Sequence, residues 1–287
     1  MDSRSLHWRH YLIEAWGLGT FMIVAGTVAV LLARAPEPLR GAIAAHPALG
    51  RLLFGSAMGL TVIAITYSPW GARSGAHLNP ALTFAFTSLG KIAPRDAFFY
   101  TLAQFVGGAL GFAALAALAG RALVAPPVHG IVTRPGSHGA PVAFCGEVAI
   151  AFILMTVVLT LSNSRASIAR FTGLAGGICV AAFIILETPL SGMSLNPART
   201  TASALIVGDW TSIWVYLTAP VAGMLGAAAL YTRLHSREAV RCARLNHTGL
   251  FPCIFRCQYA PAMVPAPPER RSVRPSGRRR AAHWRKW

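Results

Sequence analysis

Acidic residues are scarce. Asp and Glu together number 9 in 287 residues, against 26 Lys and Arg, and charged residues make up only 12% of the chain. An average soluble domain carries about 25%. A water-exposed globular protein of this length could not cover its surface with so few charges, so that class is excluded. Cysteine is sparse too, with 5 in the whole chain. Cys145 and Cys179 lie in apolar runs and read as packing residues. Cys242, Cys253 and Cys257 lie near the C-terminus, and no disulfide framework is implied. Together with His247 these three offer metal-ligating groups, but their spacing matches no established zinc pattern, so no metal site is expected. No catalytic residue and no cofactor is expected either.

What the sequence has in abundance is apolar length. Hydrophobic residues make up 54%. A spanning helix needs about 20 mostly apolar residues. Six segments satisfy this: Tyr11–Ala33, Arg51–Trp70, Ala97–Gly120, Val142–Leu161, Phe171–Glu187 and Trp210–Tyr231. The first is longer than a signal-peptide core and carries Glu14, so it reads as a span. Two more segments, Leu78–Ser88 and Leu195–Val207, are apolar but too short to cross, and read as re-entrant.

The segment 121–141, rich in Pro, Gly and His, separates two similar halves. Ser74–Thr83 repeats as Ser191–Thr200, with seven of ten positions identical. Each half holds three spans, an odd number, so the second half starts on the opposite side of the membrane. The predicted fold is therefore an all-α membrane protein: six transmembrane helices plus two re-entrant half-helices in an inverted repeat. The first repeat covers 1–120 with its half-helix at 78–88. The second covers 142–233 with its half-helix at 195–207. The last part, 234–287, is expected to be a basic, disordered tail.

Both short segments carry Asn-Pro-Ala: Asn79, Pro80, Ala81 and Asn196, Pro197, Ala198. Asn caps a helix by accepting from first-turn N–H groups. Pro suits the first helical position, where no N–H is needed, and Ala lets two ends approach. With its oxygen engaged in capping, each Asn keeps an NH₂ to offer a pore. Two opposed N-termini also place about half a positive charge each at mid-membrane. That pairing bonds neutral oxygen-bearing solutes and repels cations and protons.

These residues resemble the major intrinsic protein family, the aquaporins and glycerol facilitators. The likeness rests on Ser74–Ala81, on Asn196–Arg199, on Glu14-Ala15-Trp16-Gly17 and on Ala103-Gln104-Phe105-Val106-Gly107-Gly108. It implies that Glu14 and Glu147 accept hydrogen bonds from the re-entrant loops and hold His77 and the Asn boxes in place. It implies a homotetramer with one pore per chain. It also implies a selectivity ring of Arg199, Met193, Ile184 and a residue from the second span, Met58, or Gly59 in another register. That ring lacks the His of water-selective relatives and the aromatics of glycerol relatives. The expected function is a passive channel for water or a small uncharged solute, with a glycerol, urea or ammonia facilitator of poor water flux as the alternative. An ion-coupled transporter is disfavoured, because only Glu14 and Glu147 qualify as titratable groups on the path. Glu187, outside the family pattern, reads as a solvated helix end.

Beyond His235 the chain carries twelve basic residues against Glu238 and Glu269, ten of the seventeen net positive charges. This tail, with Arg165 and Arg170 in a short connection, places both termini in the cytoplasm of a plasma or inner membrane. Partners expected are the solute and the lipid bilayer, with no specific nucleic acid.

Overall fold

The computed structural model describes residues 6–247 and 251–259. Among these the regular structure is helical: α1 (Trp8–Ala33), α2 (Leu39–Ala45), α3 (Pro47–Tyr67), α4 (Pro69–Ser74), α5 (Pro80–Ser88), α6 (Pro94–Ala119), α7 (Arg121–Val124), α8 (Gly139–Ser162), α9 (Ala166–Ala169), α10 (Thr172–Ser191), α11 (Pro197–Val207) and α12 (Ile213–His235). Six of them, α1, α3, α6, α8, α10 and α12, are long and apolar enough to cross a membrane. Helices α5 and α11 are the two half-length segments.

The helix ends follow local chemistry. Helix α3 stops before Ser68, whose hydroxyl accepts from Gly71 N–H and starts α4. Trp70, expected in the second span, therefore belongs to α4. Helix α10 runs past Glu187 and through Pro189 to Ser191. Glu187 is consequently not a solvated end: it is 5% exposed and accepts from Ser191 Oγ. Leu78 and Leu195 lie just outside their half-helices, with positive φ of 52° and 61°.

Spanning helices pack in pairs, α1 on α6, α8 on α12 and α3 on α10. Small residues permit the closeness. A Cβ on Gly107 of α6 would sit 2.1 Å from the Ala15 carbonyl oxygen of α1. The half-helices interlock the repeats: α5 packs against α12 of the second half, and α11 against α6 of the first.

The tail departs from the expected disorder. Residues 236–247 and 251–259 form no regular element, yet Val240, Cys242, Ala243 and Phe255 are all at most 2% exposed. They pack under the end of the bundle that carries the start of α1 and the end of α8. The remaining tail, including Arg270–Lys286, lies outside the described residues.

Candidate functional site

A cavity of about 730 Å³ runs along the axis between the two halves. One end opens among Arg40, Ile43 and Pro47; the other is lined by Leu245 of the tail. Between them, Asn79 and Asn196 face each other.

Each Asn performs two tasks. Asn79 Oδ1 accepts from Ala81 N–H at 2.9 Å, and Asn196 Oδ1 from Ala198 N–H at 3.0 Å and Arg199 N–H at 3.3 Å. This caps both half-helices, as the Asn-Pro-Ala order predicts. Asn79 Nδ2 then donates to the Leu195 carbonyl at 2.8 Å, and Asn196 Nδ2 to the Leu78 carbonyl at 2.7 Å. Each half thus anchors the other's Asn. One hydrogen of each NH₂ is used in this crossing bond, which leaves a second donor on each, and both Asn residues line the cavity.

The loops leading into the half-helices are held by two buried carboxylates. Glu14 is 0% exposed. Its Oε1 accepts from Ser74 Oγ at 2.7 Å and His77 N–H at 3.1 Å, and its Oε2 from Leu78 N–H at 2.7 Å and Gln104 Nε2 at 2.9 Å. Glu147, equally buried, repeats the pattern in the other half. Its Oε1 accepts from Ser191 Oγ at 2.7 Å and Ser194 N–H at 2.6 Å, its Oε2 from Leu195 N–H at 2.7 Å. Hydrogen bonds to a charged group contribute about 1.5–3 kcal/mol each. That offsets the left-handed backbone at Ala76, Leu78, Met193 and Leu195. Neither carboxylate is left free to relay protons.

Sequence reading missed two tyrosines. Tyr100 OH donates to the Ser74 carbonyl at 2.7 Å, and Tyr216 OH to the Ser191 carbonyl at 2.6 Å. They stand at matching places in the two halves, but outside the obvious repeat, where only their similar offset signals them. It also left Ser74 and Ser191 without a role. Each donates to its Glu and accepts a loop N–H, from Ala76 at 3.1 Å and Met193 at 3.0 Å. Ser191 Oγ also meets Glu187 Oε2 at 2.8 Å. The single hydroxyl proton serves one of the two carboxylates at a time. Gly146 makes room for Glu187, since a Cβ there would sit 2.6 Å from its Oε1.

Met58, Ile184, Met193 and Arg199 all line the cavity on the side away from the tail. Gly59 does not: it faces α10, and a Cβ there would lie 2.6 Å from the Gly177 carbonyl oxygen. Of the two registers, the geometry therefore favours Met58. Arg199 is 8% exposed, and its Nη1 is buried with no hydrogen-bond partner among the described residues. A strong donor is thus held at an apolar wall.

His77 sits at the tail end of the cavity. Its Nε2 donates to the Ala243 carbonyl at 2.7 Å, and its Nδ1 meets Thr83 Oγ1 at 3.2 Å. A carbonyl only accepts, which puts the ring proton on Nε2. The imidazole is stacked between Phe86 and Phe255, with centroids at 5.4 and 5.5 Å. The four potential metal ligands of the tail, not expected to form a site, lie together: the ligating atoms of Cys242, His247, Cys253 and Cys257 are all within 4.8 Å of one another.

The family profile described as Major intrinsic protein matches residues 2–231. A rice relative, Aquaporin NIP1-3 of Oryza sativa subsp. japonica, is 42% identical over 60% of this chain and 58% of its own length. The chain thus spans less than two thirds of that relative. Glycerol uptake facilitator protein-like 6 of Lactiplantibacillus plantarum is 33% identical over 77% of this chain and 95% of its own. Among solved structures, the aquaglyceroporin from Plasmodium falciparum superposes with a TM-score of 0.65 at 19% identity, covering 82% of this chain and 99% of that one. At that identity the likeness carries the fold, while the profile match over most of the chain carries kinship: this protein belongs to the major intrinsic protein family.

Proposed function

We propose that the chain is a passive channel for small uncharged solutes, in which water crosses slowly and solutes with one polar and one apolar edge are relatively favoured. The observation that carries this reading is the composition of the narrow stretch around Arg199. There Arg199 lines the cavity together with Met58, Ile184 and Met193, one cation and three apolar side chains. The names of relatives, aquaporin and glycerol uptake facilitator, support the same class.

Selection against ions comes from three positive features in series. Two helix N-termini converge at the Asn pair, and Arg199 stands beyond them. A water molecule passing Arg199 can bond to it and to loop carbonyls, but the wall offers no imidazole for its other lost partners. An unmade hydrogen bond costs about 1–3 kcal/mol, and 1.36 kcal/mol is tenfold in rate. Water flux is therefore expected to be about tenfold below that of a His-bearing family member.

The test is the osmotic response of reconstituted vesicles to water, glycerol, urea and ammonia in turn. Ile184→His is expected to raise water permeability and lower passage of the other three. Equal water flux to a His-bearing member, with none of the three solutes crossing, overturns this account of the ring. The assembly that best fits is a homotetramer in a plasma or inner membrane, with both termini in the cytoplasm. Each subunit would hold its own pore, because one chain supplies both half-helices.

A further inference from the structure

At one end the channel cavity is lined by chain that the six spans do not need. Residues 240–247 and 251–259 carry no helix or strand, yet Val240, the run from Cys242 to Asn246, and Phe255 are buried. Leu245 N–H donates to the Gly75 carbonyl at 3.2 Å, and its side chain lines the cavity. Arg244, 2% exposed, donates through Nη2 to the Arg73 carbonyl at 3.1 Å and through Nη1 to the Phe251 carbonyl at 3.0 Å. Phe255 covers His77. Arg256 N–H reaches the Lys91 carbonyl at 3.0 Å. Val240, Ala243, Leu245 and Phe255 join the apolar core of the bundle, with Ile254 and Tyr259 packed against it, but no helix or strand fixes the described backbone between them.

The organising element is visible in the ligand cluster. Cys242 and Cys253 place their sulfurs 3.5 Å apart, and His247 Nε2 lies 3.1 Å from Cys257 Sγ. A tetrahedral zinc site with Zn–S of about 2.3 Å and Zn–N of about 2.0–2.1 Å requires edges of roughly 3.6–3.8 Å. These two edges need relax outward by a few tenths of an ångström, and the widest, at up to 4.8 Å, draw in by about an ångström, to surround an ion. Both S and N contacts are far longer than a covalent bond, and all three cysteines are free. Three thiols with one imidazole form a soft donor set that selects zinc over magnesium or calcium. Spacing hid the site: the ligands run Cys-x4-His-x5-Cys-x3-Cys, interleaving the His between cysteines.

We propose that Cys242, His247, Cys253 and Cys257 bind one zinc ion, and that the bound ion pins residues 240–247 and 251–259 so that Leu245 closes this end of the channel. Cys242 and Leu245 are three residues apart on the same buried strip, so an ion at the first fixes the position of the second. Without metal, the segment keeps its bonds and apolar contacts to the bundle but loses the link that ties Cys242, His247, Cys253 and Cys257 together, and opens. The closure half of the proposal rests on the channel reading; the metal half does not.

The experiment uses the full-length protein purified in detergent. Zinc content is measured after loading and dialysis, and Co²⁺ is substituted to look for thiolate-to-metal charge-transfer absorption. One ion per chain and a tetrahedral thiolate spectrum are expected, both lost in Cys253→Ser/Cys257→Ser. Helix content by circular dichroism is expected to be unchanged in that variant, because the bundle precedes the segment. Vesicles carrying the protein are then assayed for solute flux with and without a chelator on the tail side. Metal removal is expected to raise flux by about tenfold or more, a barrier lower by at least about 1.4 kcal/mol once the Leu245 side chain leaves the path. Leu245→Gly in the zinc-loaded protein is expected to raise it likewise. Failure to bind zinc, binding that survives the double variant, or a Cys242–Cys253 disulfide in the protein kept under reducing conditions overturns the site. Flux that is identical with and without bound zinc overturns the closure. Zero flux in every form, with zinc bound as expected, strikes the channel reading and leaves the metal site standing.

Discussion

Replacing Glu147 by Gln removes one oxygen from a group that answers three donors. If the carboxamide oxygen stays toward Ser191 and Ser194, its NH₂ faces the Leu195 N–H that Oε2 accepted at 2.7 Å. If it flips, the Ser191 hydroxyl and Ser194 N–H lose their acceptor instead. The lesser of these losses is one charge-assisted bond and one buried unpaired donor. At about 1–3 kcal/mol for an unsatisfied group, the variant is expected to lose at least about 2–3 kcal/mol. By the scaling of globular proteins of this size, about 2–4 °C per kcal/mol, the melting temperature falls by about 4–12 °C. Glu187→Gln is the control. Glu187 has a single bonded partner, Ser191 Oγ, and a carboxamide keeps an atom that can meet it. Its shift is expected to be less than half as large. Thermal unfolding of both variants in the same detergent makes the comparison. Glu147→Gln melting with the unmodified protein, or below it by less than Glu187→Gln, refutes the assignment of Glu147 as the brace of the 192–195 loop.

Asn196→Asp places a negative charge where the two half-helix N-termini meet, and is expected to open a cation leak measurable as vesicle conductance. Gly107→Leu must push the Ala15 backbone away, because even a Cβ there comes within 2.1 Å of its carbonyl oxygen. Overpacking of this kind costs about 1–3 kcal/mol or more, and yield of folded protein after detergent extraction is expected to fall. On the face opposite the tail, burial would raise the Asp209 carboxyl, but bonds from Thr211, Arg134 and His129 outweigh it and hold the group well below the ordinary carboxylate range. Its contribution is therefore complete above about pH 4 and declines as pH falls toward its folded value. A melting-temperature profile against pH is expected to lose its acid limb in part in Asp209→Asn. Protease added outside intact cells is expected to spare the C-terminal tail, and cleavage there would reverse the proposed orientation.

The six spans and the paired half-helices were legible in the sequence because a bilayer imposes a length and a polarity that composition reports directly. The Asn boxes were legible because capping is local: Asn, Pro and Ala act within one turn. Two kinds of feature were hidden. Glu187 was misread because Pro189 suggested a helix end, whereas the helix tolerates it and continues to Ser191. The tail was misread because its basic charge dominates its composition. The few residues that bury it, Val240, Ala243 and Phe255, have no periodicity, and the segment's contacts to Gly75, His77 and Lys91 reach more than 150 residues back along the chain. Tyr100 and Tyr216 fall between these cases: each donates to the carbonyl of a repeated Ser, but neither belongs to the repeated decapeptide.

The crossing bonds between the halves set a timetable for biosynthesis. Asn79 finds its acceptor at Leu195, 116 residues later in the chain. At roughly 5–20 residues per second, that partner leaves the ribosome about 6–23 s after Asn79 does. Throughout that interval the first half-helix has a capped end with an unpaired amide, and α12, on which it packs, has not been made. A polar group in that state is costly in hydrocarbon. The first re-entrant segment must therefore wait at the membrane surface or beside the insertion machinery, and enters the bilayer only when its mirror image arrives to meet it.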